Sequence, residues 1–128
     1  MKESIKKFIE WTKLKIRIHL KQEVFYFHER EIWRASLGIN IGHEQAGKNE
    51  MFERPALILK KFNNDICWVL PLTSRQKVGP YYYRLHNKKS VVILSQLRLI
   101  SGQRLVRKID VMPELEFAKV KEMIKNLL

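Results

Sequence analysis

The segment Gly42-His43-Glu44-Gln45-Ala46-Gly47-Lys48-Asn49-Glu50-Met51-Phe52-Glu53-Arg54-Pro55 brings together an imidazole, three carboxylates, two amides, a lysine and an arginine. Further along, Thr73 and Ser74 follow the run Leu70-Pro71-Leu72. These residue types fit phosphoryl transfer within RNA without a metal. A ribose 2′-hydroxyl would attack its own phosphate. One group must accept the hydroxyl proton, a cation must hold the pentavalent phosphorane, and a donor must protonate the leaving 5′-oxygen. Arg54 suits the second task, because its planar fork grips two phosphoryl oxygens at once. With a pKa of roughly 12 or more, it is a poor acid. His43 and Glu44 can accept or donate protons, and the hydroxyls of Thr73 and Ser74 can bind or orient a phosphate. Each residue also has a plainer reading. Arg54 before Pro55 can open a strand at the surface, Glu44 can sit in a solvated turn, and Thr73-Ser74 is a common way to end a strand.

Other chemistries find little support. There is no G-x-G-x-x-G, no phosphate-loop lysine motif and no G-x-S-x-G elbow. His19, His28, His43 and His86 are scattered, and no Cys/His pair has metal-ligand spacing, so neither a metal nor a cofactor is expected. The single cysteine, Cys67, lies in the apolar run Ile66-Cys67-Trp68-Val69-Leu70 and reads as a small buried hydrophobe. No apolar run approaches a membrane span, and the lysine-rich start lacks the apolar stretch of a signal peptide. A reducing cytoplasm is the expected compartment.

The net charge of +12 is unevenly spread. Residues 1–30 hold eight Lys or Arg against four Glu, and residues 31–65 hold five of each sign. Residues 66–109 then carry nine Lys or Arg and no acid at all, and the remainder returns to −1. A long interval without a carboxylate makes a positive face that attracts polyanions and releases counterions on binding. The consecutive Tyr81, Tyr82 and Tyr83 favour nucleic acid, since tyrosine faces stack bases, although at least one should face a core. An acidic protein segment is the other polyanion that would fit.

These residues must be positioned by a chain of 128 residues, enough for one compact core and no second ordinary domain. Near the start, Ile5, Phe8, Ile9 and Thr12 share a helical face, with Ser4 as the candidate N-cap. From Leu14 to Leu20 the pattern alternates, which leaves the end of that helix ambiguous. This basic helix could lie on a membrane surface, but packing on the domain is the expected outcome. Strand signals follow over residues 24–27 and 31–37. Residues 55–62 and 65–72 form an expected hairpin around Asn63-Asn64, and residues 81–85 and 91–100 a second pair. A last strand, over residues 104–111, follows the turn Ser101-Gly102-Gln103. Pro113 then opens a helix that carries Leu115, Val120, Met123, Ile124 and Leu127 at helical spacing. Many short strands joined by tight turns argue for a small barrel.

The order of the motifs resembles the MazF/PemK/Kid toxin family. Glu31-Ile32-Trp33, Gly42-His43-Glu44-Gln45-Ala46-Gly47, Arg54-Pro55-Ala56-Leu57, Pro71-Leu72-Thr73-Ser74 and Gln96-Leu97-Arg98 occur in the family's sequence of E-I-W, G-x-E-Q-x-G, R-P-x-L, P-[LV]-T-S and Q-x-R. The likeness spans about three-quarters of the chain. It implies a mainly β fold, an SH3-like small barrel with appended helices, usually as a homodimer. On that basis residues 1–30 form an N-terminal helical extension packed on the core, and residues 31–128 the toxin domain. It implies a metal-independent endoribonuclease that cuts single-stranded mRNA to 2′,3′-cyclic phosphate and 5′-hydroxyl ends. The partner would be a cognate antitoxin whose acidic tail fills the RNA groove. The implied catalytic residues are Arg54 and Thr73, with Glu44 and His43 handling protons. RNA contacts fall to Gln45, Lys48, Ser74, Arg75, Lys77, Tyr81, Ser95, Gln96 and Arg98.

The chain departs from the family pattern in three places. Residues 48–53 lengthen the interval before Arg54, and residues 49–53 read as loop only. Ser95 stands where some members carry an aspartate used in acid–base chemistry, which either shifts that work to Glu44 or His43 or leaves the activity low. The first thirty residues extend beyond the compact core. A non-catalytic alternative is a binding protein on the same scaffold, like relatives that poison a gyrase, or a regulator derived from a toxin.

Overall fold

The computed structural model describes residues 2–21, 25–38, 52–86 and 89–128. Helix α1 (Lys2–Leu20) precedes seven strands, β1 (Glu31–Ser36), β2 (Glu53–Lys61), β3 (Ile66–Thr73), β4 (Tyr82–Arg84), β5 (Val91–Ile93), β6 (Arg98–Ser101) and β7 (Leu105–Val111), and helix α2 (Glu114–Leu127) closes the chain. The strands form one antiparallel sheet in the order β4-β5-β3-β2-β1-β7, with β6 also on β3. The long β3 makes this possible: one edge meets β2, while the other holds β6 along residues 66–69 and β5 at Leu72 and Thr73. The result is an open small barrel flanked by helices.

Two apolar clusters fill the two faces of the sheet. Ile32, Leu57, Leu70, Leu72 and Val92 pack under α2 with Phe117 and Val120. On the other face Phe27, Trp33, Ala35, Leu37, Ala56, Ile58, Val69, Ile100 and Leu105 pack together, with Cys67 among them. Burial raises the Cys67 thiol to about 11, so it is an inert core group. The β2–β3 turn forms as expected, with Asn63 Oδ1 accepting the N–H groups of Asp65 at 2.7 Å and Ile66 at 3.0 Å.

Several expectations are corrected. Ser4 lies inside α1 rather than at its N-cap, and the alternating stretch after Leu14 is helical to Leu20. The helix docks by a different stripe from Ile5, Phe8 and Ile9, which stay exposed. Trp11 and Leu14 are buried with Phe52, and Ile18 packs against them. This i, i+3, i+7 set carries the larger ring, and burying each such side chain contributes about 1.5–3 kcal/mol. Residues 25–28 form no strand, although Phe27 is fully buried. The expected strand over residues 91–100 is broken by a 3-10 turn, Leu94–Gln96, because its two halves pair with different parts of β3. In α2, Leu115 is 81% exposed, and Phe117 takes the inward position instead. Phe52 is buried and Glu53 begins β2, so the end of the expected loop is structural; residues 49–51 lie outside the described residues.

Candidate active site

Along a strand, alternate side chains share a face. Arg54 therefore points the same way as Ala56 and Ile58, and Thr73 the same way as Val69, beyond the apolar core of that face. The β2–β3 register ends with Ala56 beside Pro71, and continued by two residues along each strand it brings Arg54 level with Thr73. Arg54 Nη1 donates to the Leu72 carbonyl at 3.1 Å, which ties the guanidinium to the end of β3. Burial and then the charge of Arg75 hold the Arg54 pKa below its ordinary value. An arginine shifted in this way still carries its charge near neutral pH. Two cations held near each other, one of them half-buried, are relieved when an anion comes between them.

Thr73 is 9% exposed, and its Oγ1 accepts the Arg75 N–H at 3.2 Å. That bond is an ordinary strand-ending turn, and it also orients the hydroxyl. The hydroxyl proton remains able to donate. Ser74, Arg75 and Lys77 continue outward from Thr73 and are exposed. The Lys77 ammonium lies 5.7 Å from the Tyr82 ring centroid. Arg54, Thr73 and Arg75 thus form one polar group at the ends of β2 and β3.

The other candidates lie elsewhere. Leu94 N–H donates to the Tyr81 carbonyl at 2.8 Å, setting the turn that carries Ser95 and Gln96 beside an exposed Tyr81. Ser95 is exposed and Gln96 half-buried. Arg98 shares the face of Ile100 and reaches the Leu37 carbonyl at 3.3 Å, at the end of β1. His43, Glu44, Gln45 and Lys48 lie outside the described residues. Of the three tyrosines, Tyr83 serves the core. Its hydroxyl donates to Glu116 Oε1 at 2.9 Å, and burial with that carboxylate raises its pKa to about 12.

Arg104 does not stand out in the sequence, although it falls in the carboxylate-free interval. It is half-buried, donates to the Ser36 carbonyl at 3.3 Å and lies over the Trp11 ring. Burial, then the charge of Arg98, lowers its pKa. The Glu31-Ile32-Trp33 motif has a structural role. Buried Glu31 accepts from Trp33 Nε1 at 3.0 Å and from the His28 N–H at 2.8 Å, and pairs with Lys108 at 3.1 Å. Glu53 pairs with Arg34 at 3.5 Å on the face away from Arg54. No group of three or more His, Cys, Asp or Glu that could hold a metal occurs among the described residues. Among the same residues no helix is long and apolar enough to cross a membrane.

Comparison with known proteins gives the family and the fold. Residues 28–128 match the family model described as PemK-like, MazF-like toxin of type II toxin-antitoxin system. No curated protein matches the sequence. Among solved structures, MazF from Deinococcus radiodurans (Form-I) superposes with a TM-score of 0.64 at 20% identity, covering 80% of this chain and 96% of that one. MazE-MazF (Form-II) from the same organism gives 0.64 at 23% identity with the same coverage. A mycobacterial endoribonuclease in complex with its cognate antitoxin gives 0.59 at 10% identity, covering 77% of this chain and 90% of that one. At these identities the likeness is one of fold.

Proposed function

We propose that this chain, which belongs to the PemK-like, MazF-like family of type II toxins, is a metal-independent endoribonuclease acting on single-stranded mRNA. The observation that carries the reading is Arg54 at the head of β2, tied to the Leu72 carbonyl, opposite Thr73 and beside the charge of Arg75. A scissile phosphate bound there meets a guanidinium fork and a hydroxyl on adjacent strands. The ribose 2′-hydroxyl gives its proton to Glu44 or His43, and its oxygen bonds to phosphorus. The bond from phosphorus to the 5′-oxygen breaks, and that oxygen takes a proton from the other member of the Glu44–His43 pair. The products are a 2′,3′-cyclic phosphate and a 5′-hydroxyl. Arg54 stabilises the charge that builds on the phosphorane, an interaction stronger in the transition state than with the substrate.

The same reading assigns RNA contacts to Gln45, Lys48, Ser74, Arg75, Lys77, Tyr81, Ser95, Gln96 and Arg98. The inhibitor is an acidic antitoxin that competes for the positive face. A mycobacterial relative of this fold was solved with its cognate antitoxin, which supports that partner. A homodimer working in the cytoplasm completes the proposal.

The test is incubation of the purified protein with a long RNA in excess chelator, followed by end mapping. Defined cuts with 5′-hydroxyl ends are expected. Arg54→Ala should lower their rate by about 100- to 1,000-fold, the loss typical for one transition-state donor. Binding of RNA without cutting by the wild type would favour the non-catalytic toxin-fold binder, and cutting only with added metal would overturn the mechanism.

A further inference from the structure

We propose that Trp11 of the N-terminal helix is a positioning residue for this site, seated on the two residues where β1 ends and β2 begins. The inference rests on the reading of Arg54 as the phosphate-gripping group. Helix α1 lies outside the residues 28–128 shared with the family, so the device belongs to this chain's extension.

The contacts converge on a small area. Gly38 has φ +80°, and a Cβ at that position would overlap the Trp11 indole, so the ring uses the space that glycine leaves. Phe52 meets the same indole with centroids 5.5 Å apart and planes at 60°. The Phe52 carbonyl accepts the N–H groups of Leu37 at 3.0 Å and Gly38 at 3.2 Å, closing β1 onto β2. Phe52 itself adopts φ +50°, which bulky residues seldom do unless their surroundings impose it. Trp11 is the ring packed against it. Arg54 stands two residues beyond Phe52, so the direction in which β2 starts sets where the guanidinium enters the site.

A second set of bonds fixes the helix itself. Gln103 Nε2 donates to the carbonyls of His19 at 3.3 Å and Lys21 at 3.1 Å, satisfying groups that a helix C-terminus leaves open. Next to it, the Arg104 guanidinium lies 5.5 Å from the Trp11 ring centroid and donates to the Ser36 carbonyl at 3.3 Å. One indole therefore touches the end of β1 directly, and again through Arg104. A tryptophan serving only as core would be expected to change stability and leave the chemistry of the folded fraction intact.

The experiment compares wild type, Trp11→Ala, Trp11→Phe, Gly38→Ala and the Trp11→Ala/Gly38→Ala double variant. It reads steady-state cleavage of an oligoribonucleotide together with amide hydrogen exchange. In Trp11→Ala and Gly38→Ala, kcat per folded molecule should fall about tenfold with KM within about twofold, as for a misaligned group. Exchange at the Leu37 and Gly38 amides should rise about tenfold while the β2–β3 ladder keeps its protection. Trp11→Phe should recover most of the rate. The double variant should be no worse than Gly38→Ala alone, since that alanine already displaces the indole and keeps the same strain at φ +80°. Full kcat in folded Trp11→Ala, or additive losses in the double variant, would overturn the proposal. If Trp11→Ala does not fold, Gly38→Ala and Trp11→Phe still decide: an unchanged kcat in Gly38→Ala overturns it. A wild type that cuts no RNA sinks the endoribonuclease reading instead. The exchange data then judge the seat alone, faster exchange at Leu37 and Gly38 supporting it and unchanged exchange rejecting it.

Discussion

Glu31 is a carboxylate held against burial by the donors around it. Burial alone would raise its pKa, but the bonds from Trp33 Nε1 and the His28 N–H, with Lys108 beside them, bring it below the ordinary 4.5. A folded-state pKa below the unfolded one means that the carboxylate stabilises the fold above the ordinary value. That contribution is lost as the pH falls through the folded value. Glu31→Gln should therefore cost about 1–3 kcal/mol at pH 7, the usual range when a charged buried partner is removed. The difference should shrink as the pH falls below the ordinary value and through the lower folded one, where the wild-type carboxylate takes up a proton. Denaturant titrations of both proteins across pH check this, and a pH-independent difference would refute it. The Glu31-Ile32-Trp33 motif is thus fixed by a structural bond, whereas Arg54 and Thr73 stand beyond the core at the proposed site. Thr73 belongs to both worlds, since its oxygen serves the turn and its proton remains for a ligand.

At the scale of elements, helix faces were harder to read than strands. The alternation of β2 and β3 and the asparagines between them mark the hairpin that carries Arg54 and Thr73. The start of β2 was missed, because the charge of Glu53 hides that it is buried against Arg34. In α1 two apolar stripes compete, and sequence alone does not reveal that Gly38 and Phe52 offer a seat for Trp11. Within the candidate site the Arg54–Thr73 pair was legible from residue types and order. The parts held by tertiary contacts, Arg104 and Trp11, were not, because carbonyls such as that of Ser36 leave no mark in the pattern of side chains. In α2 the same limit made Leu115 look like a core residue. Phe117→Ala should cost about 3–5 kcal/mol, because it empties a cluster shared with Leu72 and Val92. Leu115→Ala, at an 81% exposed position, should stay within about 0.5 kcal/mol. Denaturant midpoints of the two variants distinguish the faces, and equal losses would contradict the packing described.

At the scale of the whole molecule, the charge distribution and the site make one argument. The acid-free interval of residues 66–109 includes Arg75, Lys77 and Arg98, while Arg54 enters from the neighbouring strand β2. An RNA strand in contact with these four cations would release their phosphates' counterions. Each neutralised phosphate on a single strand contributes about −0.7 to the slope of log affinity against log salt, so four give about −3. The measurement needs an oligonucleotide with a 2′-deoxy sugar at the cut site, which binds without offering the attacking hydroxyl. Fluorescence anisotropy over a series of salt concentrations then yields the slope. Arg75→Ala should make it shallower by about 0.7, because one phosphate contact is lost. An acidic peptide of the kind an antitoxin tail would present should displace the oligonucleotide and weaken with salt in the same sense. A slope near zero would mean that the positive face is a solvated surface, and the endoribonuclease reading would lose its means of holding substrate.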